Sequence, residues 1–310
     1  MGKPDEYFPF ELQTDSGAIG LVDEFCDGPF GRLHYLRSPD RDGTHVTVFL
    51  HGVANDWTTW TPVLRIAAAR GPTLGDVLLI DLPGFGESEN LKDHLESREV
   101  GNLVVGLVER LGYRTLGIVG HSMGGFLALD MASKHPDIVT SVRLVAGAYF
   151  SVIRTVQNPW SSLLARRTVA AAYFSQSALA MLGPAGLRAF ALLGRVRLLP
   201  LTLRGTLAYP WHADRTFLDR LALGMRPRSF LLAAQNGVGY RPDVEWRRIH
   251  CPLIAVFGVK DKLVPVEDMV ALRRVCEHAE THLIDSCAHF PHVEMPELAF
   301  KYLFGTREAG

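Results

Sequence analysis

Apolar positions along the chain follow two rhythms. Short uninterrupted runs recur at Val46–Leu50 (VTVFL), Val77–Asp81 (VLLID), Leu116–Val119 and Val142–Val145 (VRLV), and Gly31–Ser38 alternates apolar with polar. Runs of this length bounded by turn formers predict strands, the continuous ones buried on both faces. Between them Asp56–Arg70, Glu96–Leu111 and Gly124–His135 carry apolar residues at helical spacing. Strands alternating with helices predict an α/β fold built on a mostly parallel, doubly wound sheet. The rhythm stops near Gly147. Tyr149 to His250 predicts helices and no strand, after which Leu253–Phe257, a helix over Val266–Glu277, a strand over Thr281–Ile284 and a helix over Pro296–Phe304 restore it. The expected organisation is therefore a core of residues 1–147 and 251–310 interrupted by a helical insert at 148–250, a size suited to a small domain. Within the insert, Thr168–Leu187 is the longest uncharged stretch. Its Ser175, Gln176, Ser177 and the Gly183-Pro184 break predict a pair of short buried helices, not a membrane span. No internal repeat is visible.

Composition sharpens this picture in one respect. Of 310 residues, 47% are hydrophobic and 21% charged, which excludes disorder as the dominant state. The net charge of −1 argues against a general nucleic-acid binder. The charge is nevertheless polarised: Ser151–His250 holds fourteen arginines, no lysine and four acids, a net of +10 against about −11 elsewhere. Four cysteines (Cys26, Cys251, Cys276, Cys287) without a C-x-x-C pair argue against a disulfide framework or a structural zinc site. The opening segment has no apolar signal-peptide core, and Gly2 does not open a myristoylation signal. These features together point to a cytoplasmic protein with reduced thiols.

The sharpest motif is Gly120-His121-Ser122-Met123-Gly124-Gly125, set between a predicted strand and a predicted helix. That context defines a nucleophile elbow. Gly120 and Gly124 leave room for close-packed strand and helix, and Ser122 stands free above the sheet at the helix N-terminus. A serine hydroxyl at neutral pH needs a base, and the base an orienting acid. Asp261 follows the strand Leu253–Phe257, just past its carboxyl end, where ligands bind in open α/β folds. His289 is the first histidine after the last strand. The order Ser122, Asp261, His289 fits an elbow-type serine enzyme. His292, three residues on, is the rival base and is expected to face elsewhere. Asp285 reads as a turn former, Asp268 as a solvated helix residue, and Trp57 and Trp60 as core. Asp81 is expected to fix the Pro83-Gly84 turn, and His51 to shape its own loop by hydrogen bonds.

Over nearly its whole length the chain resembles the α/β-hydrolase superfamily. His51-Gly52 after a strand, Asp81-Leu82-Pro83-Gly84-Phe85-Gly86-Glu87-Ser88, the elbow, the Asp261 loop and His289-Phe290-Pro291-His292-Val293-Glu294 match in order. The resemblance implies a sheet flanked by helices with a helical cap, matched by Tyr149–His250. It also implies that the N–H groups of Val53 and Met123 form an oxyanion hole. The implied reaction is hydrolysis of a carboxylic ester, lactone or thioester through an acyl-enzyme on Ser122, with no metal or organic cofactor. A serine nucleophile sets the chain apart from epoxide hydrolases and haloalkane dehalogenases, which use Asp. Meta-cleavage C–C hydrolases resemble it in length and cap, but typically have Asn where His121 stands. Cofactor-free perhydrolase or haloperoxidase relatives share the Ser-Asp-His set but have a smaller cap. Both remain alternatives, as does a binding protein that keeps the fold without turnover.

The insert's apolar residues (Tyr149, Phe150, Trp160, Tyr173, Phe174, Leu179, Met181, Leu182, Phe190, Leu192, Leu193, Trp211, Phe217, Phe230) suggest a greasy pocket for an acyl group, although any one of them could simply hold the insert together. The run Arg188–Arg204 mixes arginines with aliphatics. It reads as a solvated basic face on a packed helix or, more sharply, as a collar of Arg195, Arg197 and Arg204. Such a collar would serve an anionic substrate, an acidic carrier or a membrane surface.

Overall fold

A computed structural model describes residues 3–71, 74–147, 149–165, 167–195 and 198–305, leaving aside the side chains at 184, 189, 191 and 193–195. Among the described residues, eight strands form one sheet: β1 (Val22–Gly28), β2 (Gly31–Arg37), β3 (His45–Leu50), β4 (Val77–Ile80), β5 (Thr115–His121), β6 (Val139–Val145), β7 (Leu253–Gly258) and β8 (Glu280–Ile284). Their order is β1-β2-β4-β3-β5-β6-β7-β8. The strands β3 to β8 pair in parallel throughout, whereas β2 is antiparallel to both β1 and β4. The predicted parallel sheet is therefore present, with a hairpin on one edge. Sequence pattern missed β1, whose burial alternates weakly and whose outward positions include Asp23 and Asp27.

Helices α1 (Thr61–Arg70), α2 (Ser97–Arg110) and α3 (Met123–Lys134) link the first parallel strands. The pleat explains the two-sided core. Along β3, Val46, Val48 and Leu50 pack with residues of α2 and α3, while Phe49 packs on the opposite face with Trp57 and Trp60. Both tryptophans are buried, as expected of core residues. The predicted helix Asp56–Arg70 is divided: Trp57–Trp60 forms a 3₁₀ turn capped by the Asp56 side chain, and α1 follows with Pro62 in its first turn.

Between β6 and β7 run α4 (Phe150–Gln157), α5 (Pro159–Ala165), α6 (Arg167–Arg195), α7 (Leu199–Thr202), α8 (Arg215–Leu223), α9 (Pro227–Ala234) and α10 (Pro242–Glu245). Ala148 and Arg197 lie outside the described residues. A break falls within α6 at Gly183, whose φ is +54°. The two segments it joins are only partly buried, short of the sequence reading: Val169, Ala170 and Gly186 are buried, whereas Ala171, Ser175, Ala178, Met181 and Leu187 are exposed. An uncharged, alanine-rich helix can border open space, and apolar content alone did not register that. No described helix is long and apolar enough to cross a membrane.

The chain closes with α11 (Val266–Val275), α12 (Pro291–Glu294) and α13 (Pro296–Phe304). Here Asp268 departs from its expected role. It is buried, and its carboxylate accepts from the Ser151 N–H at 2.9 Å and from the Ser151 hydroxyl at 2.7 Å. Asp268 thus ties α11 to the first turn of the insert. Asp285 lies in an exposed turn, as expected.

Candidate active site

Ser122 joins β5 to α3 with φ +51° and ψ −115°, the left-handed side of backbone space. A non-glycine residue held there costs about 1–3 kcal/mol, which the surrounding packing must impose. The glycines show how. A Cβ on Gly120 would strike the Gly124 carbonyl, and one on Gly124 would strike the carbonyl of Leu50 on β3. Only bare backbone lets α3 enter so close to the sheet.

From this elbow a hydrogen-bonded line runs across the carboxyl ends of three strands. His289 Nδ1 lies 2.8 Å from Asp261 Oδ2, and His289 Nε2 lies 3.0 Å from Ser122 Oγ. A carboxylate only accepts, so Nδ1 carries the proton and Nε2 is left to accept the Ser122 hydroxyl. Asp261 is itself fixed: its other oxygen accepts from the N–H groups of Leu263 and Val264 at 2.7 and 3.1 Å. The structure brings Ser122, Asp261 and His289 together. His292 stays apart from Ser122, with Nε2 2.9 Å from Thr59 Oγ1 and its ring 4.5 Å from that of Trp60. Burial, with a smaller push from His289, lowers its pKa to about 3.

His121 fills the space beside the serine. Its Nε2–H donates to the His289 carbonyl at 2.9 Å. Burial, reinforced by the neighbouring His292 and His289, drives its pKa well below the ordinary value, so the ring is neutral. Glu294 is a residue to which sequence reasoning gave no task. Fully buried, it accepts from the N–H groups of Ala288 and Phe290 on either side of His289, at 3.1 and 3.0 Å. Its second oxygen accepts from Tyr7 Oη at 3.0 Å and the Ala208 N–H at 2.8 Å. One carboxylate thereby joins the N-terminal segment, the insert and the histidine loop. The signal available was its place in the His289–Glu294 motif, five residues past the base.

Val53 and Met123 line the cavity above Ser122, at the mouth of the loop after β3 and at the first turn of α3. Neither N–H donates to another described backbone carbonyl. The Val53 loop is braced from below. His51 donates Nδ1–H to the Gly52 carbonyl at 2.7 Å and accepts the Leu82 N–H at 3.0 Å. Asp81 accepts from Trp57 and Glu87 N–H groups and from His34, so it reaches beyond the Pro83-Gly84 turn. Burial opposes the Asp81 charge, but the His34 hydrogen bond and the nearby His51 and His34 hold its pKa below the ordinary value.

The cavity measures about 740 Å³, ordinary for a small-molecule site. Of the insert's apolar residues, Tyr173, Leu179, Leu182, Phe190 and Phe230 line it. Tyr149, Phe150 and Phe217 pack in the core instead, while Trp160, Met181, Leu192 and Trp211 are exposed. Phe174 packs on Trp160, and the side chain of Leu193 lies outside the described residues. Of the expected arginine collar, Arg204 lines the cavity; the Arg195 side chain and all of Arg197 lie outside the described residues. Among the described residues, no group of three or more His, Cys, Asp and Glu is arranged to hold a metal ion.

Comparison with known proteins places the chain in a family. A model of the alpha/beta hydrolase family matches residues 47–301, and the chain belongs to that family. It is 26% identical over 281 residues to BODYGUARD 1 of Arabidopsis thaliana, named as a probable lysophospholipase; the match covers 81% of this chain and 56% of the plant protein. The chain thus spans little more than half the length of that relative. It is 25% identical over 297 residues to a 2-hydroxy-6-oxononadienedioate/2-hydroxy-6-oxononatrienedioate hydrolase of Burkholderia vietnamiensis, covering 92% of this chain and 94% of the other. Among solved structures, a thermophilic esterase from Thermogutta terrifontis superposes with a TM-score of 0.63 at 18% identity, covering 91% of this chain and 95% of that one, a likeness of fold.

Proposed function

We propose that the protein is a serine hydrolase that cleaves a carboxylic ester, or a related lactone or thioester, with an apolar acyl group. The observation that carries this reading is the Ser122–His289–Asp261 line, with links of 3.0 and 2.8 Å, opening into a largely apolar cavity. In this reading residues 1–147 and 251–310 form the catalytic core and 148–250 a cap. The probable lysophospholipase relative, named for an acyl-ester substrate, agrees with it.

The chemistry follows from the positions. His289 Nε2 takes the Ser122 proton as Oγ attacks the carbonyl, and Asp261 stabilises the imidazolium that forms. The N–H groups of Val53 and Met123, the latter at a helix N-terminus, hold the tetrahedral oxyanion. The imidazolium returns the proton to the departing alcohol, leaving an acyl-Ser122 ester. Water then gives a proton to His289 and attacks that ester, and collapse releases the acid as His289 returns the proton to Ser122 Oγ. His121 and Glu294 hold the His289 backbone in place throughout these proton transfers.

The test is intact-protein mass spectrometry after reaction with a fluorophosphonate, beside a series of p-nitrophenyl esters of rising chain length. One adduct is expected, together with turnover that peaks at a chain length set by the cavity. Both should vanish in Ser122→Ala; unchanged steady-state turnover in that variant would refute the assignment. A second reading is favoured by the Burkholderia relative matched over nearly its full length: hydrolysis of a C–C bond in a vinylogous diketone. An adduct without turnover of any ester would select it.

A further inference from the structure

The described lining of the cavity carries a single formally charged side chain, Arg204. Arg204 is exposed while lining the cavity, so it stands at the mouth. Its neighbours fix where along the mouth. The Thr206 carbonyl accepts the His289 N–H at 3.0 Å, and Gly205 O accepts the Lys262 N–H at 2.9 Å. Two residues of chain span at most roughly 7 Å, so Arg204 lies on the rim next to His289. Lys262, beside Asp261, runs along the same segment: its Cδ would be 3.1 Å from a Cβ on Gly205. Both cations are exposed, and neither has an ion-pair partner among the described residues. No described carboxylate lines the cavity to neutralise them. With Arg204 the one formal charge on the described lining and Lys262 beside the same segment, the two cations concentrate an anion.

We propose that Arg204 and Lys262 form a subsite for an anionic group, carboxylate or phosphate, on the alcohol side of the substrate. This rests on the serine-hydrolase reading and deepens it. The side follows from the chemistry. His289 hands its proton to the leaving alcohol, so that half of the substrate lies against the His289 loop, where the two cations are. The acyl half then occupies the apolar part of the cavity, among Ile153, Leu179 and Phe230. The substrate class is a single-chain acyl ester whose alcohol bears a negative charge within a few bonds of the scissile oxygen. An arginine binds either anion bidentately, and the lysine adds a point charge.

Three hexanoyl esters, short enough to stay monomeric, test this: those of ethylene glycol (neutral), glycolate (carboxylate) and ethylene glycol phosphate. The wild-type enzyme is expected to show kcat/KM at least tenfold higher on one or both anionic esters than on the neutral one. The preferred anion identifies the group, and the preference should shrink as salt is added. In Arg204→Gln the anionic-to-neutral ratio should fall toward one, in Arg204→Glu below one, and Arg204→Lys should restore part of it. Equal kcat/KM on all three esters in the wild type would overturn the subsite and leave the hydrolase standing. A ratio unmoved by Arg204→Gln and Arg204→Glu would overturn it too. No turnover of any ester together with no phosphonate adduct would bring down the underlying reading instead.

Discussion

At the scale of single residues, Glu294 shows how one buried carboxyl can hold the loop of a candidate base. Four donors converge on its carboxylate, two of them flanking His289. Burial raises its pKa to about 7, against the pull of those donors. The sign of the consequence is fixed by linkage. From the unfolded value near 4.5 up to about 7 the native state binds the proton more tightly, so stability falls as pH rises across that window. At 1.36 kcal/mol per unit the fall approaches ~3 kcal/mol. Glu294→Gln removes the titration, and its amide leaves one or more of the converging N–H groups without an acceptor, at about 1–3 kcal/mol. Urea unfolding of both proteins at pH 5 and pH 7.5 is the check. The wild type is expected to lose more stability between the two pH values than the variant. Equal losses would mean that the donors, not burial, govern this carboxyl. The residues of the candidate site were legible because their signals are local: glycines about the serine, an aspartate and a histidine each just past a strand. Glu294 and Asp268 were not, because two of the four donors to Glu294 and both donors to Asp268 come from elsewhere in the chain. Ala208 is 86 residues from Glu294, and Ser151 is 117 from Asp268.

At the scale of elements, the approach of α3 to the sheet is the most demanding contact. Gly124→Ala would put a methyl into the Leu50 carbonyl, backbone against backbone with nothing flexible to yield. This variant is expected to be insoluble or to lose more than about 3 kcal/mol, in the range of severe core overpacking. Gly106 is the matched control. It lies on the exposed side of α2, with nothing within 4 Å of a Cβ. There Gly→Ala should stabilise by about 0.5–1 kcal/mol through helix propensity and the unfolded chain. Thermal unfolding of the pair separates the effects; a harmless Gly124→Ala would show that α3 does not pack as described. The same contrast explains which elements the sequence could announce. The buried parallel strands are continuous apolar runs, and α2 and α3 carry their pattern openly. β1 pairs only with β2 at the sheet edge, so little burial disciplines its sequence. In α6 the neighbour on one side is the cavity, and empty space leaves no mark on hydrophobic spacing.

At the scale of the whole molecule, the insert is fastened to the helices that flank the sheet by polar contacts at separate points. Ser151 meets Asp268, the Ala208 N–H meets Glu294, and Tyr240 Oη meets Asp130 at 2.9 Å. A fourth point bears on the loop of Val53, the proposed oxyanion donor. Arg220 of α8 pairs with Asp56, whose carboxylate is 5% exposed and caps the turn after that loop. Nearby, Gly224 packs so closely on the Ala54 carbonyl that a Cβ there would collide, and Ala54 holds φ +60°. The end of α8 thus presses on the residue next to Val53. Arg220→Met would keep the stem's packing and leave Asp56 with only its Thr58 donors. Because the Arg220 side chain is 28% exposed, the stability cost should be about 1–3 kcal/mol, below that of a fully buried pair. The effect on chemistry is the sharper expectation. A loosened loop misplaces the Val53 N–H, so kcat on a simple ester should fall about tenfold, short of the ~10²–10³ lost when an oxyanion donor is removed outright. KM should change little, because Arg220 does not line the cavity. Phosphonylation of Ser122, which also builds negative charge on an oxygen, should slow in parallel. A raised KM with kcat intact would mean that α8 shapes the pocket and leaves the oxyanion loop to hold itself. The insert would then be a roof, whereas the expected result makes it part of the machinery that stabilises the transition state.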